Sequence, residues 1–122
     1  MSCIFCNIPK ERIILENELA YAIYDGYPVS PGHILVIPKR HYQSYFDANH
    51  EEKLKIMELI DQSKQIIEEK YRPDGYNIGI NIGETAGQTV MHLHVHIIPR
   101  YQGDSENPRG GVRGVIPHKK EY

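Results

Sequence analysis

The amino-acid sequence predicts an α+β fold built on an antiparallel sheet. Three observations carry that expectation: β-prone runs bounded by turn residues, a single long amphipathic segment, and the segregation of the two along the chain. A doubly wound parallel sheet would alternate them instead. With 122 residues, one domain is the natural size.

The first strand signal is Ala20–Tyr24, which alternates, is rich in β-prone residues and stops at the turn pair Asp25-Gly26. The following stretch from Tyr27 to Gly32 carries Pro28 and Pro31, which remove backbone donors and fix φ, so neither strand nor helix continues there. A second strand is expected over His33–Ile37, ended by Pro38. Asn49 and Glu52 are spaced as a capping box, and Leu54, Met57, Ile60, Ile67 and Tyr71 recur at helical spacing, widened by Ile56, Leu59 and Ile66. The long helix therefore runs over 51–71 and ends at Pro73-Asp74-Gly75. Tyr76–Asn81 reads as a third strand, Gly83–Gly87 as a polar loop and Val90–Pro99 as the fourth strand. Beyond Tyr101 the composition turns to loop residues, with one short apolar piece at Val112–Ile116.

Composition narrows the function classes. A formal net charge of −2 argues against a protein that holds nucleic acid electrostatically, because such proteins carry a basic footprint. No stretch approaches the roughly 18 apolar residues of a membrane span. The start, Met1 to Cys6, has neither a basic region nor an apolar one suited to export, so a cytoplasmic protein with reduced thiols is expected.

The strongest chemical signal is His92-Leu93-His94-Val95-His96. On a strand, alternate residues share a face, so the three imidazoles line one side while Leu93, Val95 and Ile97 pack on the core. Strand residues two apart have Cα atoms about 6.5–7 Å apart and those four apart about 13 Å, so three in line are poorly placed to share one metal. That favours a division of labour. A neutral imidazole is a good nucleophile toward phosphorus when its other ring nitrogen donates to a carbonyl and so fixes the tautomer. The preceding Gly87-Gln88-Thr89 offers an amide and a hydroxyl, although taken alone it reads as a turn.

The run from Gly87 to Arg100 resembles the signature of the histidine-triad (HIT) family, and Pro31 to His41 resembles its second characteristic block. Cys3-Ile4-Phe5-Cys6 is similar to the start of prokaryotic, zinc-containing members. The resemblance spans residues 3–101, leaving 102–122 as a tail that is either part of the same domain or flexible. It implies a HIT-like fold with one long helix, a short N-terminal helical segment and a homodimer whose sheets join. It further implies hydrolysis or transfer of purine nucleoside monophosphates, from phosphoramidates or dinucleoside polyphosphates, through a nucleotidyl-histidine on His94. By position, His96 contacts the phosphate, and His33 orients the nucleophile. Gln88 and Thr89 approach the phosphate and leaving group, and Asp25 and Asn81 lie near the ribose. Asp25 reads equally as a turn residue.

A single Cys-x-x-Cys is weak evidence for zinc, since a tetrahedral site needs four ligands. In zinc-bearing members of the family a histidine after the second strand and the first triad histidine complete the set, which implies Cys3, Cys6, His41 and His92 around a structural ion. A redox pair or two solvent-facing thiols are the alternatives. His50 and His118 read as surface residues. Two other functions stay open: a non-catalytic nucleotide-binding or scaffold protein, and a metal enzyme in which the triad holds a catalytic ion.

Overall fold

The computed structural model describes residues 2–122 and contains five strands and one long helix: β1 (Ile13–Glu16), β2 (Ala20–Tyr24), β3 (Ile34–Pro38), α1 (His50–Tyr71), β4 (Gly75–Gly79) and β5 (Val95–Arg100). The order in the sheet is β1-β2-β3-β5-β4, and every neighbouring pair is antiparallel. The chain leaves β3 through α1, returns as the edge strand β4 and closes by inserting β5 between β3 and β4. Single 3-10 turns punctuate the N-terminal segment at Ile4–Cys6 and Lys10–Arg12, and the tail at Gly111–Val115 and Pro117–Lys119.

The sheet is covered on both faces, and the two central strands record it. Ala20, Ala22, Ile34 and Val36 face α1 together with Leu93, Val95 and Ile97. Their neighbours Tyr21, Ile23, Leu35 and Ile37 pack under the N-terminal segment against Phe5. Burial on both sides makes β3 a continuous apolar run, whereas β5 alternates buried and half-buried residues. The N-terminal segment is tied down by a hydrogen bond from the Tyr21 hydroxyl to the Phe5 carbonyl.

The helix begins as expected. Asn49 Oδ1 accepts from Glu52 N–H at 2.8 Å, and Glu52 Oε1 accepts from Asn49 N–H at 3.0 Å. Glu52 is itself buried and pairs with Arg40 at 2.8 and 3.0 Å. The buried face differs from the expected one. Ile56, Leu59, Ser63 and Ile67 meet the sheet, while Leu54 and Met57 remain exposed. Two apolar sets overlap at helical spacing, and the sheet takes the one carrying the small Ser63, which allows close approach.

Three further differences concern the strands. β1 carries no clear signal because it is short, half-buried and bulged between Ile13 and Leu15. β3 and β4 are displaced by one or two residues from their expected positions. The fourth strand starts at Val95 rather than Val90, so His92 and His94 precede the ladder. Leu93 N–H donating to the Tyr42 carbonyl at 2.7 Å holds that entry segment, and burial keeps its alternation.

Gly32 makes the turn into β3 at φ +90°, and a Cβ there would lie 2.8 Å from Cδ2 of Tyr71. Both the backbone conformation and the space require glycine. Gly32→Ala is expected to lower stability by more than about 1 kcal/mol in a urea titration; an unchanged midpoint would show that the turn accepts a side chain.

Candidate functional site

The three histidines sit on the face away from α1, beneath the N-terminal segment. The Phe5 ring stands edge-on to them, with centroids 5.0 Å from His94 and 6.1 Å from His92. The His94 and His96 rings are 5.1 Å apart. Loss of the ladder before Val95 has therefore not scattered them.

Backbone carbonyls assign their protons. His94 Nδ1 lies 2.8 Å from the carbonyl of His92, an acceptor only, so Nδ1 carries the proton and Nε2 presents a lone pair. His92 is wired in the opposite sense: its Nε2 donates to the Pro38 carbonyl at 2.8 Å, which leaves Nδ1 as the free donor atom. Two adjacent imidazoles thus expose different nitrogens.

The exposed nitrogen of His92 points into a Cys/His cluster. Its Nδ1 lies 3.1 Å from His41 Nδ1, 3.4 Å from Cys3 Sγ and 3.6 Å from Cys6 Sγ, and Cys6 Sγ lies 3.3 Å from His41 Nδ1. The four donor atoms all fall within 4.8 Å of one another. A tetrahedral zinc with two sulfur and two nitrogen ligands has ligand–ligand edges of about 3.3–3.8 Å, so the set can hold such an ion with little movement. His92 is fully buried, and its bond to the Pro38 carbonyl is the kind of outer contact that would orient an imidazole for ligation. The structure brings together all four residues that the resemblance implied.

His33 is placed differently from the expected role. It does not hydrogen-bond to His94. Its Nδ1 accepts from Val29 N–H at 3.1 Å, so the proton sits on Nε2, which faces His96 Nδ1 at 3.0 Å and Asp25 Oδ2 at 3.4 Å. His96 consequently carries its proton on Nε2 and acts as a donor from that side. Burial depresses the pKa of His33, with Asp25 opposing. His96 is pushed down to about 4, first by burial and then by its neighbours His94 and His33, with Asp25 again opposing. Asp25, His33 and His96 are also close enough to surround an ion. The Nε2 proton of His33 stands in the way, and the trio is better described as a proton-holding chain.

Asp25 fulfils the turn reading of the sequence. Its Oδ1 accepts from Tyr27 N–H at 2.8 Å and closes the turn, while Oδ2 faces His33. It also lines a cavity of about 410 Å³ together with Asn81, Thr89, His94 and His96. Phe5, Ile23 and Val90 give that cavity apolar wall beside the imidazoles. Gln88 is the exception among the expected site residues. It is buried, its Oε1 accepts from Gly83 N–H at 2.9 Å, and its amide nitrogen donates to the carbonyls of Gln43 and Val90. With these bonds made, the side chain braces the Gly83–Val90 loop instead of reaching the cavity. Sequence reasoning missed Phe5, Arg12 and Tyr27 as cavity walls; only Phe5 stood in a motif that could have flagged it.

Residues 7–103 match the HIT domain model. The chain is 39% identical to a HIT-like protein of Methanocaldococcus jannaschii over 118 residues, covering 93% of this chain and 91% of that one. It is 39% identical to a bis(5'-adenosyl)-triphosphatase of Dictyostelium discoideum over 100 residues, covering 82% and 67%. A Zn-bound histidine triad family protein of Mycobacterium smegmatis superposes with a TM-score of 0.77 at 36% identity, covering 88% and 81%. Among the described residues no helix is long and apolar enough to cross a membrane.

The depressed histidines make stability pH-dependent with a definite sign. Below the ordinary value of 6.5 the unfolded chain binds protons that folded His96 refuses until about pH 4. His92 and His33, also lowered by burial, act in the same direction. Stability is expected to hold above that window and to fall as pH drops through it, and His96→Asn should flatten the decline. Denaturant midpoints across the window measure this; a flat wild-type profile would contradict the burial assignment.

Proposed function

The chain belongs to the HIT family, and on that premise we propose that it is a nucleotide hydrolase or nucleotidyl transferase acting at the α-phosphate of purine nucleotides. The observation that carries this reading is the bond from His94 Nδ1–H to the His92 carbonyl, which leaves Nε2 unprotonated at the wall of the cavity. The relative named as a bis(5'-adenosyl)-triphosphatase supports a nucleotide substrate.

The proposed reaction has two displacements. The His94 Nε2 lone pair forms a bond to the α-phosphorus while the bond to the leaving oxygen or nitrogen breaks, and that electron pair departs with the leaving atom. Water then attacks phosphorus, the P–N bond breaks and its pair returns to Nε2. One proton of the water ends on the leaving group and the other atoms complete the nucleoside monophosphate. His96, kept neutral with Nε2–H outward, donates to the phosphoryl oxygens without adding a charge that would repel an imidazolium on His94. His33 sets that tautomer of His96. Asp25 and Asn81 suit the ribose, Thr89 the phosphate, and the apolar walls with Phe5 suit the purine.

Cys3, Cys6, His41 and His92 would hold a structural zinc, whose chemistry is to cross-link the N-terminal segment to the strand that presents His94. Reduced thiols suit a cytoplasmic setting. β4 is a sheet edge with Ile78 49% exposed, which favours a homodimer formed along that edge.

Acid-free trapping followed by mass spectrometry is expected to find a nucleotidyl adduct on His94. His94→Ala should lower turnover by at least about a thousandfold while keeping nucleotide affinity and fold; undiminished turnover would defeat the mechanism, and binding without turnover in the wild type would make the protein a non-catalytic binder. Chelation should lower the thermal midpoint, and His92→Ala but not His94→Ala should lose zinc. An immediate loss of turnover without loss of stability would point to a catalytic ion instead.

A further inference from the structure

The cavity at His94 has one cationic wall that the reaction leaves unused. Among the described residues that line it, Arg12 is the only lysine or arginine. Its Nη2 donates to the Tyr24 carbonyl at 3.3 Å and lies 3.7 Å from where a Cβ on Gly26 would stand. The guanidinium therefore rests on the turn that carries Asp25. We propose that Arg12 is a specificity-determining residue that reads the base, selecting purines with an oxygen at C6 (guanine and hypoxanthine) over adenine. The proposal rests on His94 being the nucleophile.

Sheet register sets where that group stands. His96 is opposite Leu35, and Leu35 is opposite Ile23. All three line the cavity, so they make a row across it from β5 to β2. With neighbouring strands about 4.8 Å apart, the two ends of that row are about 10 Å apart. A phosphorus bonded to His94 lies at the β5 side, and the guanidinium is held at the end of β2. Asp25, proposed for the ribose, follows Tyr24 directly. A nucleotide anchored at His94 and passing Asp25 thus carries its base, not its phosphate, to Arg12. The aliphatic side chains of Ile23 and Leu35 suit the face of the ring, which leaves its edge for the guanidinium.

The fork has donors to spare. A guanidinium carries five N–H donors in a fixed plane and no acceptor, and the Tyr24 carbonyl takes one of them. The nearby carboxylate is engaged elsewhere: Asp25 Oδ1 accepts from Tyr27 N–H and Oδ2 faces His33. Among the described residues Arg12 makes no ion pair. Two parallel donors match two acceptors side by side. Guanine presents O6 and N7 on one edge, and hypoxanthine shares both atoms. Adenine presents N7 beside the N6 amino group, itself a donor. Adenine would leave half of the fork unpaired and set donor against donor, which is how a hydrogen-bonding site rejects a close analogue.

The test measures kcat/KM for guanosine, inosine and adenosine 5'-phosphoramidates with the wild type, Arg12→Met and Arg12→Lys. Arg12 is exposed and precedes β1, so neither substitution reaches the core. The wild type should favour guanosine and inosine over adenosine by about tenfold or more. Arg12→Met should bring that ratio near one, and Arg12→Lys, which keeps the charge but loses the fork, should lose most of it. A wild type that does not discriminate would overturn the inference. So would inosine behaving as adenosine does, which would place the recognition at the 2-amino group. A parallel fall on all three substrates in Arg12→Met, with the ratio preserved, would give Arg12 to the phosphate and also overturn it. In each of these cases a nucleotidyl adduct on His94 would still support the parent reading. Absence of turnover and of adduct with every substrate would remove both.

Discussion

Two backbone carbonyls, those of Pro38 and His92, are the constraint on which the site depends. Each accepts one imidazole proton at 2.8 Å, and each thereby decides which nitrogen the ring shows to its surroundings. The same residue type, two positions apart, thus offers Nδ1 to the Cys/His cluster in one case and Nε2 to the cavity in the other. A side-chain acceptor could rotate or titrate; a carbonyl held in the fold does neither. A third ring, His96, takes its proton arrangement from His33, which takes its own from Val29 N–H.

The rest of the fold serves to hold those carbonyls in place. Pro38 ends β3, which is buried on both faces, so its carbonyl inherits the rigidity of the sheet centre. The His92 carbonyl belongs to the segment that enters β5, pinned by Leu93 N–H on Tyr42 and by Leu93 itself in the helix-side core. The Cys3–Cys6 turn lies against that segment, with the Phe5 ring edge-on to both His92 and His94. An ion held there would act at a distance from the proposed chemistry, by joining the N-terminal segment to the strand entry.

Much of this was legible in the sequence, and particular residues explain the remainder. The α+β class, the Asn49–Glu52 box and the shared face of the three histidines followed from patterns that the backbone must obey. The choice of Ile56 and Leu59 over Leu54 and Met57 did not, because two helical stripes overlap and only the sheet decides between them. The ladder start at Val95 was hidden because burial alternates from Leu93 onward without strand pairing. The partner of His33 and the bracing role of Gln88 depend on contacts across 63 and 45 residues, which no local pattern encodes. The four metal-cluster residues came from a family resemblance, and their convergence became visible only when β3, β5 and the N-terminal segment met.

The central claim is an assignment of protons, and nitrogen-15 NMR of the ring-labelled protein reads it directly at neutral pH. His94 should appear as the Nδ1–H tautomer, with His92 and His96 as Nε2–H tautomers. A His94 ring protonated on Nε2 would remove the nucleophilic lone pair from the cavity and contradict the account.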